Sequence, residues 1–183
     1  SPLIGDYVLS VEAALARHLP ATRPEAGCDH DIAMTDGGST TIVSTRRGFD
    51  GLPAVSPDGR TVAGSSDFGD ETDIVVYDLY AGTSRRIALD GNQPAPRWSP
   101  DGRFVVYHLR DAQSKGFHIW LMPMDSATGL PNGTPRRISP RNGVEPEWSP
   151  DGRRVVFVRM DSGRFNLVAV PFNGGDEDVL FEG

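Results

Sequence analysis

The sequence predicts an all-β protein that is built from repeated four-stranded antiparallel units. Three observations lead to this class: a high content of glycine and proline, a five-residue word that occurs three times, and short β-branched and aromatic runs around each copy. The 183 residues include 21 Gly and 15 Pro, about a fifth of the chain, and both residue types interrupt helices. This composition excludes a helical bundle, and the 38% of hydrophobic residues excludes a disordered chain.

Charge, hydropathy and cysteine content bear on the partners and the compartment of the protein. The formal net charge is -7, whereas nonspecific nucleic-acid binding needs clustered positive charge, so no nucleic-acid partner is expected. No apolar run in the sequence approaches the ~18 residues of a membrane-spanning helix, so no transmembrane segment is predicted. The one cysteine, Cys28, cannot form an internal disulfide, which fits a reducing compartment as well as an exported protein that avoids cysteine.

The repeated word is Ser-Pro-Asp-Gly-Arg, at residues 56–60, 99–103 and 149–153, with spacings of 43 and 50 residues. Proline fixes φ near about -65° at the first central position of a turn, and aspartate at the second can bond nearby backbone N–H groups. Glycine supplies the positive φ at the point where the next strand begins. Each copy therefore predicts a tight connection between two antiparallel strands.

Two further strands follow each copy, so that one unit contains four strands. A Gly- and Pro-rich connection at 125–135 explains the longer second spacing. Four strands in a period of 43–50 residues are typical of a β-propeller blade. The predicted complete blades are residues 51–90, 91–140 and 141–183, within a propeller domain at 31–183.

The chain before the first complete blade is predicted in two parts. Residues 31–50 form a partial blade, with a third strand and turn at 31–38 and a fourth strand at 40–45. Residues 1–30 form an N-terminal extension that contains either an amphipathic helix, which the spacing of its apolar residues slightly favours, or a second strand. Three arrangements stay open: a fragment of a longer propeller, a four-blade ring that the N-terminal segment completes, and an open array that a partner covers.

The repeat resembles that of a known family. Trp-Ser-Pro-Asp-Gly-Arg followed by a β-branched and aromatic strand, at 98–107 and 148–157, is similar to the TolB-type (WD40-like) β-propeller repeat. The resemblance covers residues 31–183, but the first copy has Val55 in place of Trp and Gly64 in place of an aromatic residue. It implies a propeller that is often exported, often serves as an interaction platform, and usually has six or more blades.

From this resemblance we expect a non-enzymatic scaffold that binds other proteins, or a subunit of a bacterial envelope complex. The expected location is the periplasm or another exported site, and a cytoplasmic location stays open. The alternatives are a propeller module of a larger enzyme, either a prolyl-oligopeptidase-like peptidase or a polysaccharide lyase, and a propeller that binds a small ligand or sugar. The sequence has no Gly-x-Ser-x-Gly and no phosphate-binding loop, so no catalytic or cofactor-binding residue is predicted.

One acidic loop is a candidate metal site. Asp67, Asp70 and Asp73 crowd the connection between the second and third strands of the first complete blade. Several carboxylates on one short loop could hold Ca²⁺. The spacing is not that of an EF-hand, and a solvated acidic turn is the competing interpretation. No other cofactor is expected.

Four residues are candidates for contact with a partner or ligand. The first strand of each propeller blade faces the central channel, and side chains alternate between the two faces of a strand. Polar residues beside the tryptophans that precede the turns are therefore expected near the channel mouth, either as contact residues or as a structural ion pair. A further tryptophan in a third strand could stack on a ligand or pack in the core. The candidates are Arg97, Glu145, Glu147 and Trp120.

Overall fold

The computed structural model describes residues 32–35, 40–44, 50–69, 72–89, 91, 94–110, 116–161 and 163–183. Within these ranges the chain forms fifteen strands. None of the described residues forms a helix that could cross a membrane. The predicted N-terminal extension over residues 1–30 lies outside the described residues.

Three successive antiparallel sheets confirm the predicted class, and a two-stranded hairpin precedes them. The hairpin consists of β1 (Ala33–Thr35) and β2 (Thr40–Ile42). Blade 1 consists of β3 (Asp50–Val55), β4 (Thr61–Asp67), β5 (Thr72–Asp78) and β6 (Thr83–Ile87). Blade 2 consists of β7 (Arg97–Trp98), β8 (Phe104–Arg110), β9 (Phe117–Asp125), β10 (Leu130–Pro131) and β11 (Arg136–Arg137). Blade 3 consists of β12 (Gly143–Trp148), β13 (Arg154–Asp161), β14 (Arg164–Pro171) and β15 (Asp178–Phe181).

Blade 2 differs from its neighbours in its outermost position. The sequence predicts a single long connection at 125–135, but the structure places β10 inside it. Leu130 and Pro131 pair with Asp125 and Met124 of β9, and β11 pairs with β9 further along. The fourth strand is therefore split into two short pieces. Gly129, at φ 68°, makes the tight turn that returns the chain to β9.

The repeated word forms the same hydrogen-bonded turn in all three blades. In the first copy, the Ser56 hydroxyl donates to Asp58 Oδ1 and accepts from the Thr61 N–H at 2.9 Å, while Asp58 Oδ1 also accepts from the Arg60 N–H at 3.0 Å. Gly59 adopts φ 70°, as predicted for the turn glycine. The other two copies repeat this pattern. The serine thus bonds to both ends of each turn, a role that the turn chemistry alone does not reveal.

Each blade packs against the next through a buried apolar layer. Trp98 and Trp148, each 8% exposed, belong to the layers between blades 1 and 2 and between blades 2 and 3. The tryptophan of the repeat thus packs between neighbouring blades. The first strands β3, β7 and β12 lie beside one another in order. They therefore form the inner side of the row of blades.

The hairpin β1–β2 covers the face of blade 1 that points away from blade 2. Ile32, just before β1, is 3% exposed and packs with Val62, Val75 and Tyr77. A Cβ on Gly64 would lie 2.5 Å from Ile32 Cδ1. Glycine thus stands where the other copies carry an aromatic residue because Ile32 occupies that space. The departure of the first copy from the repeat is a local adaptation to the hairpin.

At the opposite end of the row, none of the described residues covers blade 3. Leu167 of β14 and Phe181 of β15 are directly paired, and they lie on the face of blade 3 that points away from blade 2. They are 38% and 64% exposed. The described residues therefore form an open arc of blades rather than a closed ring.

Candidate functional site

The inner strands of blades 1 and 3 contain a bulge at equivalent positions. In β3 the register shifts between Gly51 and Ala54, and in β12 it shifts between Val144 and Glu147. One extra residue in a strand bends it and redirects a side chain. The bulges hold Leu52 at φ 51° and Glu145 at φ 52°, an unfavourable region for residues other than glycine. Both side chains are exposed.

Three of the four candidate contact residues come together where blades 2 and 3 meet. Arg97 Nε lies 3.3 Å from Glu147 Oε2, so the two residues predicted on the same side of the inner strands form an ion pair. Glu147 is largely exposed and Arg97 is partly exposed, so the pair contributes little to stability. Trp148 Nε1 donates to the Arg97 carbonyl at 3.2 Å and links the two strands behind the ion pair.

His108 belongs to the same cluster, although sequence reasoning did not select it. It lies on β8, is 6% exposed, and its Nδ1 accepts a hydrogen bond from the Glu145 N–H at 3.3 Å. The Phe117 ring and the imidazole are nearly perpendicular, with their centroids 5.6 Å apart. Burial lowers the pKa of His108, the charge of Glu145 raises it, and the charge of Arg97 lowers it, with a net decrease. The ring is therefore neutral at pH 7, and its lone pair anchors the strained residue.

We call the set Arg97, His108, Glu145 and Glu147 the inner-strand cluster. It combines a guanidinium, two exposed carboxylates and a buried neutral imidazole. The charged groups can hydrogen-bond to polar groups of a partner, whereas His108 Nδ1 is already occupied by the Glu145 backbone. The fourth candidate, Trp120, lies elsewhere: it is partly buried and packs against the buried layer between blades 1 and 2.

The acidic loop of blade 1 is only partly described. Asp73 is fully buried, and its carboxylate accepts hydrogen bonds from Arg86 Nε and from the Leu89 N–H. Asp67 Oδ1 accepts from the Gly69 N–H at 2.9 Å. Asp70 lies outside the described residues. In the part of the chain that the structure describes, no three His, Cys, Asp or Glu side chains are placed to hold a metal ion, so Ca²⁺ at this loop stays a prediction from the sequence.

Solved structures with the same fold include TolB proteins and peptidases. TolB from Acinetobacter baumannii is 20% identical, with a TM-score of 0.71 over 83% of this chain and 38% of the TolB chain. A protein assigned as TolB from Agrobacterium tumefaciens is 23% identical, with a TM-score of 0.72 over 85% of this chain and 57% of that one. A puromycin-hydrolyzing peptidase of Mycobacterium tuberculosis is 17% identical, with a TM-score of 0.65 over 85% of this chain and 26% of that one.

These likenesses concern the fold, and the chain spans less than two thirds of each of these proteins. A search of curated protein sequences found no match. A family model, in contrast, matches residues 30–183, which is most of the chain and includes all three repeated turns. The model is that of the TolB beta propeller domain, and the chain therefore belongs to this family.

Proposed function

We propose that this chain is a non-enzymatic protein-binding module of an exported assembly at the bacterial envelope. Family membership supports this proposal, because the repeat implies propellers that are often exported and often serve as interaction platforms. A rigid set of blades that presents polar side chains from strand ends is suited to hold a partner. The inner-strand cluster is the proposed contact surface.

The observation that carries the proposal is the backbone strain at Glu145. A non-glycine residue with positive φ costs of order 1–3 kcal/mol and persists only where the surrounding structure holds it. Here the His108 imidazole holds the Glu145 N–H while the carboxylate stays exposed beside the Arg97–Glu147 pair. The strained residue therefore displays a charged side chain at the surface. Strain of this kind occurs preferentially at functional sites.

Site-specific photocrosslinking tests the proposal. The protein would be expressed in its native bacterium with a photoreactive phenylalanine at Glu145, and a matched variant would carry it at Arg85, an exposed residue of the outer strand β6. We expect a discrete protein adduct from position 145 and none from position 85. Adducts of equal yield from both positions, or from neither, would contradict a partner site at the inner strands.

A module of a larger enzyme is the second candidate. The likeness to the Mycobacterium tuberculosis peptidase favours it, because this chain covers only 26% of that protein. The complete reading frame separates the two candidates. A hydrolase domain with Gly-x-Ser-x-Gly in the same frame would replace the scaffold proposal, whereas further blades alone would support it.

A further inference from the structure

His108 lies where blades 2 and 3 meet, and it bonds to the backbone of the next blade. Its Nδ1 accepts the Glu145 N–H at 3.3 Å, and the side chain is 6% exposed. A neutral imidazole has one nitrogen that donates and one that accepts. Because Nδ1 accepts here, the ring proton is assigned to Nε2.

Charged groups of opposite sign face this imidazole from the neighbouring inner strands. Glu145 of β12 favours the protonated ring, whereas Arg97 of β7, which is paired with Glu147, disfavours it. On β8 itself, Arg110 follows on the same face and is exposed. From β9 the uncharged ring of Phe117 packs against the imidazole. A proton on the ring is thus favoured by the carboxylate of the same residue whose backbone the neutral ring holds.

Protonation changes what the ring offers to Glu145. When Nδ1 takes a proton from water, both ring nitrogens become donors and neither can accept. The Glu145 N–H then faces another N–H and loses its acceptor. The new Nδ1–H needs an acceptor in turn, and the Glu145 carboxylate is a charged one that already acts on the ring.

The backbone of Glu145 favours such an exchange. Its φ of 52° is unfavourable for a residue with a side chain. The bulge leaves residue 145 without a paired residue on β13, and the His108 imidazole is the acceptor of its N–H. Loss of this acceptor removes an interaction that holds the strained conformation. The residue can then relax toward negative φ.

We propose that His108 and Glu145 form an acid-sensitive latch. The neutral imidazole holds the Glu145 backbone and leaves the carboxylate exposed, whereas the protonated imidazole binds the carboxylate and withdraws it from the surface. Acid therefore removes one of the two exposed carboxylates from the inner-strand cluster. The consequence for a partner rests on the proposed function, but the latch is a property of the chain alone.

The latch is closed at neutral pH. Burial outweighs the charge of Glu145, so the pKa of His108 lies below its ordinary value of about 6.5. The ring is neutral at pH 7 and gains its proton only as the pH falls through this lowered pKa. The carboxylate is therefore displayed at pH 7 and withdrawn in acid.

NMR of the ¹⁵N- and ¹³C-labelled chain without a partner tests the latch. At pH 7 we expect an unprotonated Nδ1 and a Glu145 amide that is protected from hydrogen exchange. As the ring titrates, this protection, relative to a free peptide at the same pH, should fall at least about tenfold. The Trp98 indole signal, at the other joint, should stay in place. A Glu145 amide that keeps its protection, or a ring that is protonated only when the whole chain unfolds, would overturn the proposal.

Two charge variants should shift the titration in opposite directions. Glu145→Gln removes the charge that favours protonation and should lower the pKa of His108, whereas Arg97→Gln should raise it. Shifts of the same sign, or none, would contradict the assignment of the charges that act on the ring.

Two histidine variants assign the transition to one ring. In His108→Asn the amide oxygen can accept from the Glu145 N–H but does not titrate, so this amide should stay protected in acid. His118→Asn is the matched control, because His118 is also buried but pairs with Leu109 on the opposite face of blade 2. A transition that persists in His108→Asn, or disappears in His118→Asn, would refute the latch.

The latch and the proposed function fail separately. A latch that switches in the chain alone, while crosslinking captures no partner, would refute the protein-binding role and leave the latch standing. A captured partner together with a Glu145 amide that stays protected in acid would refute the latch only.

Discussion

Trp148 Nε1 donates a 3.2 Å hydrogen bond to the Arg97 carbonyl, 51 residues earlier in the chain. This bond joins the inner strands of blades 2 and 3. The repeat supplies its own control, because Trp98 occupies the equivalent position in blade 2 and its N–H has no partner among the residues that the structure describes. The two tryptophans share strand position, turn and burial, but they differ in this bond and in the rings of Phe104 and Phe172 that pack on Trp148 alone.

Replacement of each tryptophan by phenylalanine separates this bond from packing. Trp148→Phe removes the bond and should lower the free energy of unfolding by about 1 kcal/mol more than Trp98→Phe does, the usual net contribution of one such hydrogen bond. Urea unfolding of both variants measures the difference. Equal losses would mean that the bond contributes nothing beyond the ring contacts.

His108 should make stability depend on pH. Burial lowers its pKa in the folded state, outweighing the opposing effect of Glu145, whereas the unfolded value is about 6.5. The unfolded chain therefore binds more protons between these two values, and stability falls as the pH drops below about 6.5. Below the pKa that His108 has in the folded state, this loss of stability is complete. The urea concentration at the unfolding midpoint, measured at a series of pH values from 7 downward, should fall accordingly.

His108→Asn is the control for that slope. Its amide oxygen is an acceptor that can replace Nδ1 toward the Glu145 N–H, but the side chain does not titrate in this range. The pH dependence attributable to His108 should disappear in this variant. If the stability of this variant depends on pH as in the unmodified protein, other groups cause the dependence.

Glycine at position 145 should stabilise the protein and weaken partner binding. Glu145→Gly relieves the positive φ and is expected to raise the free energy of unfolding by about 1 kcal/mol. Leu52→Gly should raise the free energy of unfolding for the same reason in blade 1. Glu147→Gly, in the same strand but without positive φ, should instead destabilise. A loss of stability in both bulge variants would mean that the bulges carry no relievable strain.

Restoring the aromatic residue of the repeat in blade 1 should be harmful. Gly64→Phe places a ring where Ile32 Cδ1 lies and should cost about 1–3 kcal/mol of stability. In the double variant with Ile32→Ala, part of this loss should be recovered, because the two changes act on the same space. Additive losses in this double-mutant cycle would show that Gly64 is required for another reason.

The repeat predicts the fold because each copy encodes its own turn and its own strands. Alternation from Trp98 and Trp148 was sufficient to place Arg97 and Glu147 on one side, and they form an ion pair there. His108 escaped prediction because its contact with Glu145 depends on a bulge in a different blade, which no local pattern announces.

Comparison of the repeats could have revealed a second feature that the sequence analysis missed. Thr61 aligns with Phe104, and this difference alone indicates a smaller side chain at one joint. Only the structure shows that a cleft lies at this joint, between Thr61 and the connection around Gly129. This connection approaches Thr61 because β10 shapes it. The contact between Ile32 and Gly64 is equally nonlocal.

The turn built around Ser56 and Asp58 has a kinetic consequence. Its hydrogen bonds join residues no more than five positions apart, and such local hairpins form within about 1–10 μs. The joints between blades instead need contacts across some 50 residues, as Trp148 and Arg97 illustrate, and such long-range contacts form more slowly. Three copies of one early-forming hairpin thus give the chain three equivalent starting points, and docking of adjacent blades becomes the slow step of folding.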